Sequence, residues 1–194
     1  MPPAVHAVDD DIVAMTKYIA FLRGINVGGN SVIKMAELKK AFESLGFKNV
    51  KTVLASGNVI FESSRSDLFA IAQTIGRGLE KRFGWIPVIV RTMSDVKRIL
   101  RSDPFKGIRV TPDTRLYVTF LSTAPAHGKS GLKIPYESTG KELKILKLAD
   151  TVLFSALDVS GEIKTPNAMN VIEKEFGNNV TTRNWNTILK IARL

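Results

Sequence analysis

Apolar and polar positions along the chain fall into blocks whose period switches between two and about 3.6 residues, and the switches predict the elements. Tyr18–Val27 is apolar on both faces, with Tyr18, Ala20 and Leu22 on one and Ile19 and Phe21 on the other. That is the pattern of a central strand covered on two sides. Met35, Leu38, Ala41, Phe42 and Leu45 recur at helical spacing and predict a helix that Gly46 ends. Val50–Ala55 and Val59–Glu62 read as strands joined by the turn signal Ser56-Gly57-Asn58. A second helix is predicted over Ser66–Phe83, with Leu68, Ile71, Ala72, Ile75, Leu79 and Phe83 inward and Gly76 and Gly78 as interruptions. Ile86–Arg91 completes the run as a fourth strand, and Pro87 suits an edge position.

The order β-α-β-β-α-β is that of the ferredoxin-like split βαβ unit. In that topology the first two strands run parallel with the third antiparallel between them. The loop leaving the first strand (Gly24–Asn30) and the turn leaving the second (Ser56–Asn58) then share one end of the sheet. Two inter-strand steps set them roughly 10 Å apart.

The second half is less regular. Ser94–Arg101 reads as a helix capped by Ser94, and Arg115–Leu121 as a strand. Ala124–Gly140, rich in Gly, Pro, Ser and Lys, reads as a mobile loop. Leu143–Leu148 and Val152–Leu157 form a hairpin around Ala149-Asp150. Thr165 as cap and Pro166 at the first position open a helix to about Phe176. A last helix is expected from near Thr182, burying Trp185, Ile188, Leu189 and Ala192. The fold class expected is α+β: a ferredoxin-like subdomain over 17–92 and a smaller α+β subdomain with C-terminal helices over 93–194. Residues 1–16, with Pro2, Pro3 and Asp9–Asp11, read as a disordered leader, and Met15 as a candidate native start.

Composition narrows the function classes. The 194 residues are 44% hydrophobic, enough for a core, and no apolar run approaches the ~18 residues of a membrane span. There is no basic-then-apolar N-terminal signal. There is no cysteine, which excludes disulfides, thiolate metal sites and cysteine nucleophiles and fits a cytoplasmic location. Net charge is +10; beyond the leader, 28 basic residues face 15 acidic ones, leaving +13. A basic body favours anionic partners.

Four motifs carry a resemblance. Phe21-Leu22-Arg23-Gly24-Ile25-Asn26-Val27-Gly28-Gly29, Met35-Ala36-Glu37-Leu38, Ser56-Gly57-Asn58-Val59-Ile60-Phe61 and Thr181-Thr182-Arg183-Asn184-Trp185-Asn186-Thr187 resemble, in order, the bacterial DUF1697 family, a domain of unknown function. The resemblance spans about Lys17 to the C-terminus and implies a two-part, cytoplasmic α+β protein with no assigned activity. Loops of that family usually place a basic residue after the glycine pair, where this chain has Asn30 and Ser31, with Lys34 further on.

The first-strand loop is the leading candidate site. Gly24, Asn26, Gly28, Gly29 and Asn30 expose backbone N–H groups of the kind that hold anions. Equally, the glycines serve a tight turn needing positive φ. Gly24 to Ser31 nearly spells a P-loop, but Asn30 stands where the phosphate-reaching lysine belongs, so NTP hydrolysis is set aside. Arg23 either makes a bidentate contact to phosphate or carboxylate or forms an ion pair, with Glu62 as the named partner. Ser56 and Asn58 are either hairpin chemistry or polar groups of the shared rim. In Thr182-Arg183-Asn184-Trp185-Asn186-Thr187, Arg183, Asn186 and Lys190 share a helical face at spacings of three and four, and the helix N-terminus beneath Thr181 and Thr182 favours anions. These are either a capping motif with solvated polar residues or a face that packs toward Arg23–Asn30 and completes one pocket.

Catalytic constellations are poor: His6 lies in the leader and His127 in the predicted loop, so no His-based triad or metal cluster forms, and no cofactor and no catalytic residue are assigned. The expected function is binding of an anionic ligand (nucleotide, phosphate compound or nucleic acid) at the first-strand loop, without a membrane. The alternatives are a small-molecule enzyme at the same rim, whose reaction the sequence does not specify, and a non-catalytic interaction protein. RNA-recognition chemistry is disfavoured because Asn58–Glu62 lacks spaced stacking aromatics. The oligomeric state is not assigned.

Overall fold

The computed structural model describes residues 14–27, 32–124, 132–161 and 165–194, with side chains from 168 onward in the last segment. Most of the expected leader, Gly28, Gly29 and Asn30, residues 125–131 and the side chains of Thr165 and Pro166 lie outside the described residues. The elements, in order, are β1 (Thr16–Leu22), α1 (Met35–Ser44), β2 (Lys48–Val53), β3 (Asn58–Ser63), α2 (Leu68–Phe83), β4 (Val88–Thr92) and α3 (Met93–Arg101). They continue with β5 (Thr114–Leu121), β6 (Tyr136–Glu137), β7 (Leu143–Ala149), β8 (Val152–Asp158), α4 (Thr165–Phe176), β9 (Val180–Asn184) and α5 (Trp185–Ala192).

Two antiparallel sheets result, ordered β2-β3-β1-β4 and β6-β7-β8-β5-β9. In the first, β3 lies between β1 and β2 and is antiparallel to both, so β1 and β2 run parallel, as the split βαβ reading requires. β1 is central and β4 is an edge. The two apolar faces of β1 enter two cores. Tyr18, Ala20 and Leu22 pack with Leu38 and Phe42 of α1 and Ile71, Ile75 and Leu79 of α2. Ile19 and Phe21 pack with α3, α5 and the inner face of the second sheet, including Phe120 and Phe154. The rings of Phe21 and Phe120 stack 4.3 Å apart across that seam, an arrangement that contributes about 1 kcal/mol beyond area burial. A third core joins the outer face of the second sheet to Ala168 and Ile172 of α4. The cover that β1 demands on its second face is thus supplied by the C-terminal half.

Four expectations are corrected. The first strand stops at Leu22 rather than Val27, because Gly24 (φ 74°) and Asn26 (φ 55°) leave the extended region. The α3 cap is Thr92, not Ser94: Thr92 Oγ1 accepts from the Asp95 N–H at 3.0 Å and the Asp95 carboxylate accepts from the Thr92 N–H, a reciprocal capping box. The stretch read as a loop to Gly140 carries β6. Residues Val180–Asn184 form β9, paired with β5 from Tyr117↔Asn184 to Leu121↔Val180, so the last helix begins at Trp185. The run Val180-Thr181-Thr182 is β-branched, and Thr119 and Thr182 join hydroxyls across the pair at 2.8 Å.

Candidate functional site

The shared rim exists, and side chains from both halves of the chain fill it. Leu22 N–H donates to Gly57 O at 2.8 Å, fastening the end of β1 to the β2–β3 turn. Gly57 is at φ 77°, and a Cβ there would stand 2.8 Å from Leu22 O, so only glycine permits this approach. Arg183 comes from β9 and is 9% exposed. Its Nε donates to Asn58 Oδ1 at 2.7 Å, and its Nη2 to Leu22 O at 2.6 Å and Gly57 O at 3.4 Å. Its Nη1 donates to Thr181 Oγ1 at 2.8 Å and Thr182 O at 2.9 Å. The guanidinium also lies 5.5 Å from the centre of the Phe21 ring. No carboxylate contacts it among the described residues. Burial pushes Arg183 down to about 10, which leaves it charged near neutrality.

The other predicted residues close on one another. Asn26 Nδ2 donates to Ile33 O at 3.1 Å and Ala55 O at 2.8 Å, and its Oδ1 accepts from Ile33 N–H at 2.7 Å. Asn58, fully buried, donates to Val53 O and Ser56 Oγ, each at 3.0 Å. Arg23 pairs with Glu173 of α4 at 2.7 Å and donates to Asn178 O. The partner named from sequence was Glu62; Glu62 instead accepts from Asn49 Nδ2 at 2.6 Å. Asn184 caps α5 through Asn186 N–H at 2.9 Å, and Asn186 is exposed on its first turn. Arg183 therefore does not share a helical face with Asn186 and Lys190; it reaches the rim from a strand. Of the predicted residues, Ser56, Asn58 and Arg183 form one hydrogen-bonded set, whereas Asn26 is satisfied by Ile33 and Ala55 and Arg23 by Glu173 and Asn178.

Open space lies beside this rim. A groove of about 990 Å³ runs along the free edge of β4. One wall is α2, presenting Phe69, Ala72, Gly76 and Arg77; the other is α3 with Arg98, β7 with Lys147 and the β7–β8 turn with Thr151. Arg23 and Thr181 reach it from the rim, while Asn26, Asn58 and Arg183 do not line it. Arg91 spans it, donating to Leu121 O at 2.6 Å and Thr151 Oγ1 at 3.0 Å. Burial lowers the Arg91 value from its ordinary one, and the Asp95 charge opposes that shift. Phe69 and Trp85 stand 70% and 71% exposed on its border. The sequence carried a signal for this wall: Phe69 lies off the apolar stripe of α2, and Trp85 follows the helix with no core position to fill.

These features define a class: an α+β protein of two antiparallel sheets sharing a core, with an open strand edge in a basic groove. The profile of DUF1697, described as a protein of unknown function, matches residues 15–147, and the chain belongs to that family. Its fold is similar to that of the conserved bacterial protein SP0830 from Streptococcus pneumoniae, with TM-score 0.69 and 21% identity over 93% of this chain and 98% of that one. An unknown protein from Galdieria sulphuraria aligns over 88% of this chain and 98% of its own at 17% identity, but with TM-score 0.28. No curated protein matches the sequence. Among the described residues no helix is long and apolar enough to cross a membrane, and no three His, Asp or Glu side chains cluster as metal ligands.

Proposed function

We propose that this protein is a cytoplasmic binding protein for an anionic ligand, seated in the groove along β4 next to the first-strand rim. The carrying observation is the charge of the lining. Arg23, Arg77, Arg91, Arg98 and Lys147 face Glu80, Asp95 and Asp150. Arg23 is paired with Glu173 and Arg98 with Asp95, whereas Arg77 and Lys147 have no acidic partner among the described residues. The volume falls within the range of ligand sites, and the net charge of +10 draws anions toward the surface. Absence of cysteine fits a reducing compartment.

Trp85 is a built-in reporter. Titration with inorganic tripolyphosphate is expected to change Trp85 emission saturably, weaken with added salt, and lose affinity about tenfold in the double variant Arg77→Glu, Lys147→Glu. A Trp85→Phe control isolates the signal from Trp185. No saturable change at low salt, or an equal response in the charge-reversed variant, refutes the reading.

A further inference from the structure

We infer that the ligand of this groove is an extended acidic peptide segment of another protein, which adds to β4 as a fifth strand of the first sheet. The inference rests on the anion-binding reading above and specifies its ligand. It starts from the phase of the β1–β4 ladder. Arg23 N–H donates to Pro87 O at 2.9 Å, so Pro87, Ile89 and Arg91 turn their main-chain groups toward β1. Val88, Val90 and Thr92 then turn theirs outward. Two side-chain contacts agree: Arg91 Nη1 caps Val90 O at 2.8 Å, and Asp95 Oδ2 accepts from Thr92 N–H at 3.3 Å. Left without a partner among the described residues are the N–H and C=O of Val88 and the N–H of Val90. One antiparallel strand satisfies all three. Pro87 does not obstruct it, because its missing N–H belongs on the β1 side.

The two edges of this sheet differ in the way such docking requires. β2 is guarded by exposed Lys48 and Lys51 with an irregular register between them, a device that repels added strands. The outward edge of β4 carries no lysine and forms the floor of the groove. The facing helix supplies room. Gly76 is in mid-helix, where glycine costs about 1 kcal/mol against alanine, yet a Cβ there would meet nothing within 4 Å. No internal contact requires that glycine; its bare backbone widens the groove opposite the open edge. Phe69 and Trp85, near opposite ends of α2, offer apolar surface to alternate side chains of an extended segment. Arg77 and Lys147 select acidic ones.

The test uses the whole protein, with Trp85 emission and calorimetry as readouts. The probe is a ten-residue, end-blocked peptide alternating glutamate and valine. Saturable binding is expected, at least tenfold weaker for a lysine-for-glutamate peptide, for the same acidic peptide N-methylated throughout, and for the variant Gly76→Gln. Gly76→Ala and Gly76→Gln both retain the fold by circular dichroism. Equal binding of the N-methylated peptide overturns strand addition and leaves the anion-binding reading standing. So does tripolyphosphate binding without peptide binding. If neither probe binds, both readings fall.

Discussion

Replacing Arg183 by Met should destabilise the protein strongly although no acidic partner is lost. The guanidinium makes four hydrogen bonds of 2.6–2.9 Å and one of 3.4 Å. Methionine fills much of the volume but donates nothing. Asn58 Oδ1 and Leu22 O would be left buried, each at about 1–3 kcal/mol. Against this, removing a buried charge without a counterion relieves its desolvation. The balance is a loss of about 2–4 kcal/mol, read as a fall of about 5–15 °C in Tm for a chain of this size. Urea unfolding followed by far-UV circular dichroism gives the free energy directly. Arg183→Lys separates geometry from charge. One ammonium cannot reach Asn58, Leu22 and Thr181 from a single position, so lysine should rescue less than half of the loss. A fully stable lysine variant, or a methionine variant within about 0.5 kcal/mol of the parent, refutes the clamp. The pH dependence is a further check. Arg183 is held below its ordinary value, at about 10, so the folded state releases this proton first and the linkage raises stability only as pH climbs past that point. Between pH 6 and 9 the group is charged in both states, and the difference between parent and Met variant should be flat.

The remaining expectations concern single contacts. Asn26→Ala should cost about 1–3 kcal/mol and speed amide exchange at Ile33 at least tenfold, since three hydrogen bonds end on that side chain; unchanged exchange would count against its role in closing the loop. Gly76→Ala should stabilise by about 0.5–1 kcal/mol, whereas Gly78→Ala should gain less or lose, because its Cβ would come 2.5 Å from Leu45 Cδ2; thermal unfolding ranks the two. Glu173→Gln should shift stability by less than about 1 kcal/mol, as both partners of the Arg23 pair are partly exposed; a larger loss in urea unfolding would show that the pair is more than a surface contact.

The first sheet was legible because local patterns decide it. Two-sided apolarity marks β1 as central, helical spacing marks α1 and α2, and Pro87 marks an edge. β9 was not. Val180-Thr181-Thr182-Arg183-Asn184 mixes β-branched residues with Thr and Asn, which also cap helices, and five residues are too few for a period to decide between them. Pairing with β5 settles it, and that pairing joins residues 59 to 67 positions apart, from Leu121↔Val180 to Tyr117↔Asn184. The cap of α3 failed for a related reason: Thr92 and Ser94 are both competent caps, and only the reach of Asp95 selects one. Topology places the end of β1 and the β2–β3 turn on one rim, but Arg183 reaches that rim from β9, at Leu22 O and Gly57 O, and not from a helical face turned toward the Arg23–Asn30 loop. The chemistry of the rim was not legible, because Glu173 and Asn178 arrive from α4 and the turn after it, which no local pattern ties to Arg23. The groove is assembled from α2, β4, α3 and the β7–β8 turn, so it has no contiguous motif.

The rim and the groove are parts of one construction. Arg23 holds Pro87 O with its backbone and α4 with its side chain, fixing where β4 begins relative to the second sheet. Arg183 fastens β9 to the ends of β1 and β3, and its neighbour Thr181 lines the groove. The polar residues that read as ligand contacts therefore tie the two sheets together beside the groove that runs along β4. It follows that Arg183→Met should weaken peptide binding even under conditions where the variant stays folded, while Asn186→Ala, on the exposed first turn of α5, should leave it unchanged. Equal affinities for both variants and the parent would separate the rim from the groove and reduce Arg183 to a stabiliser alone.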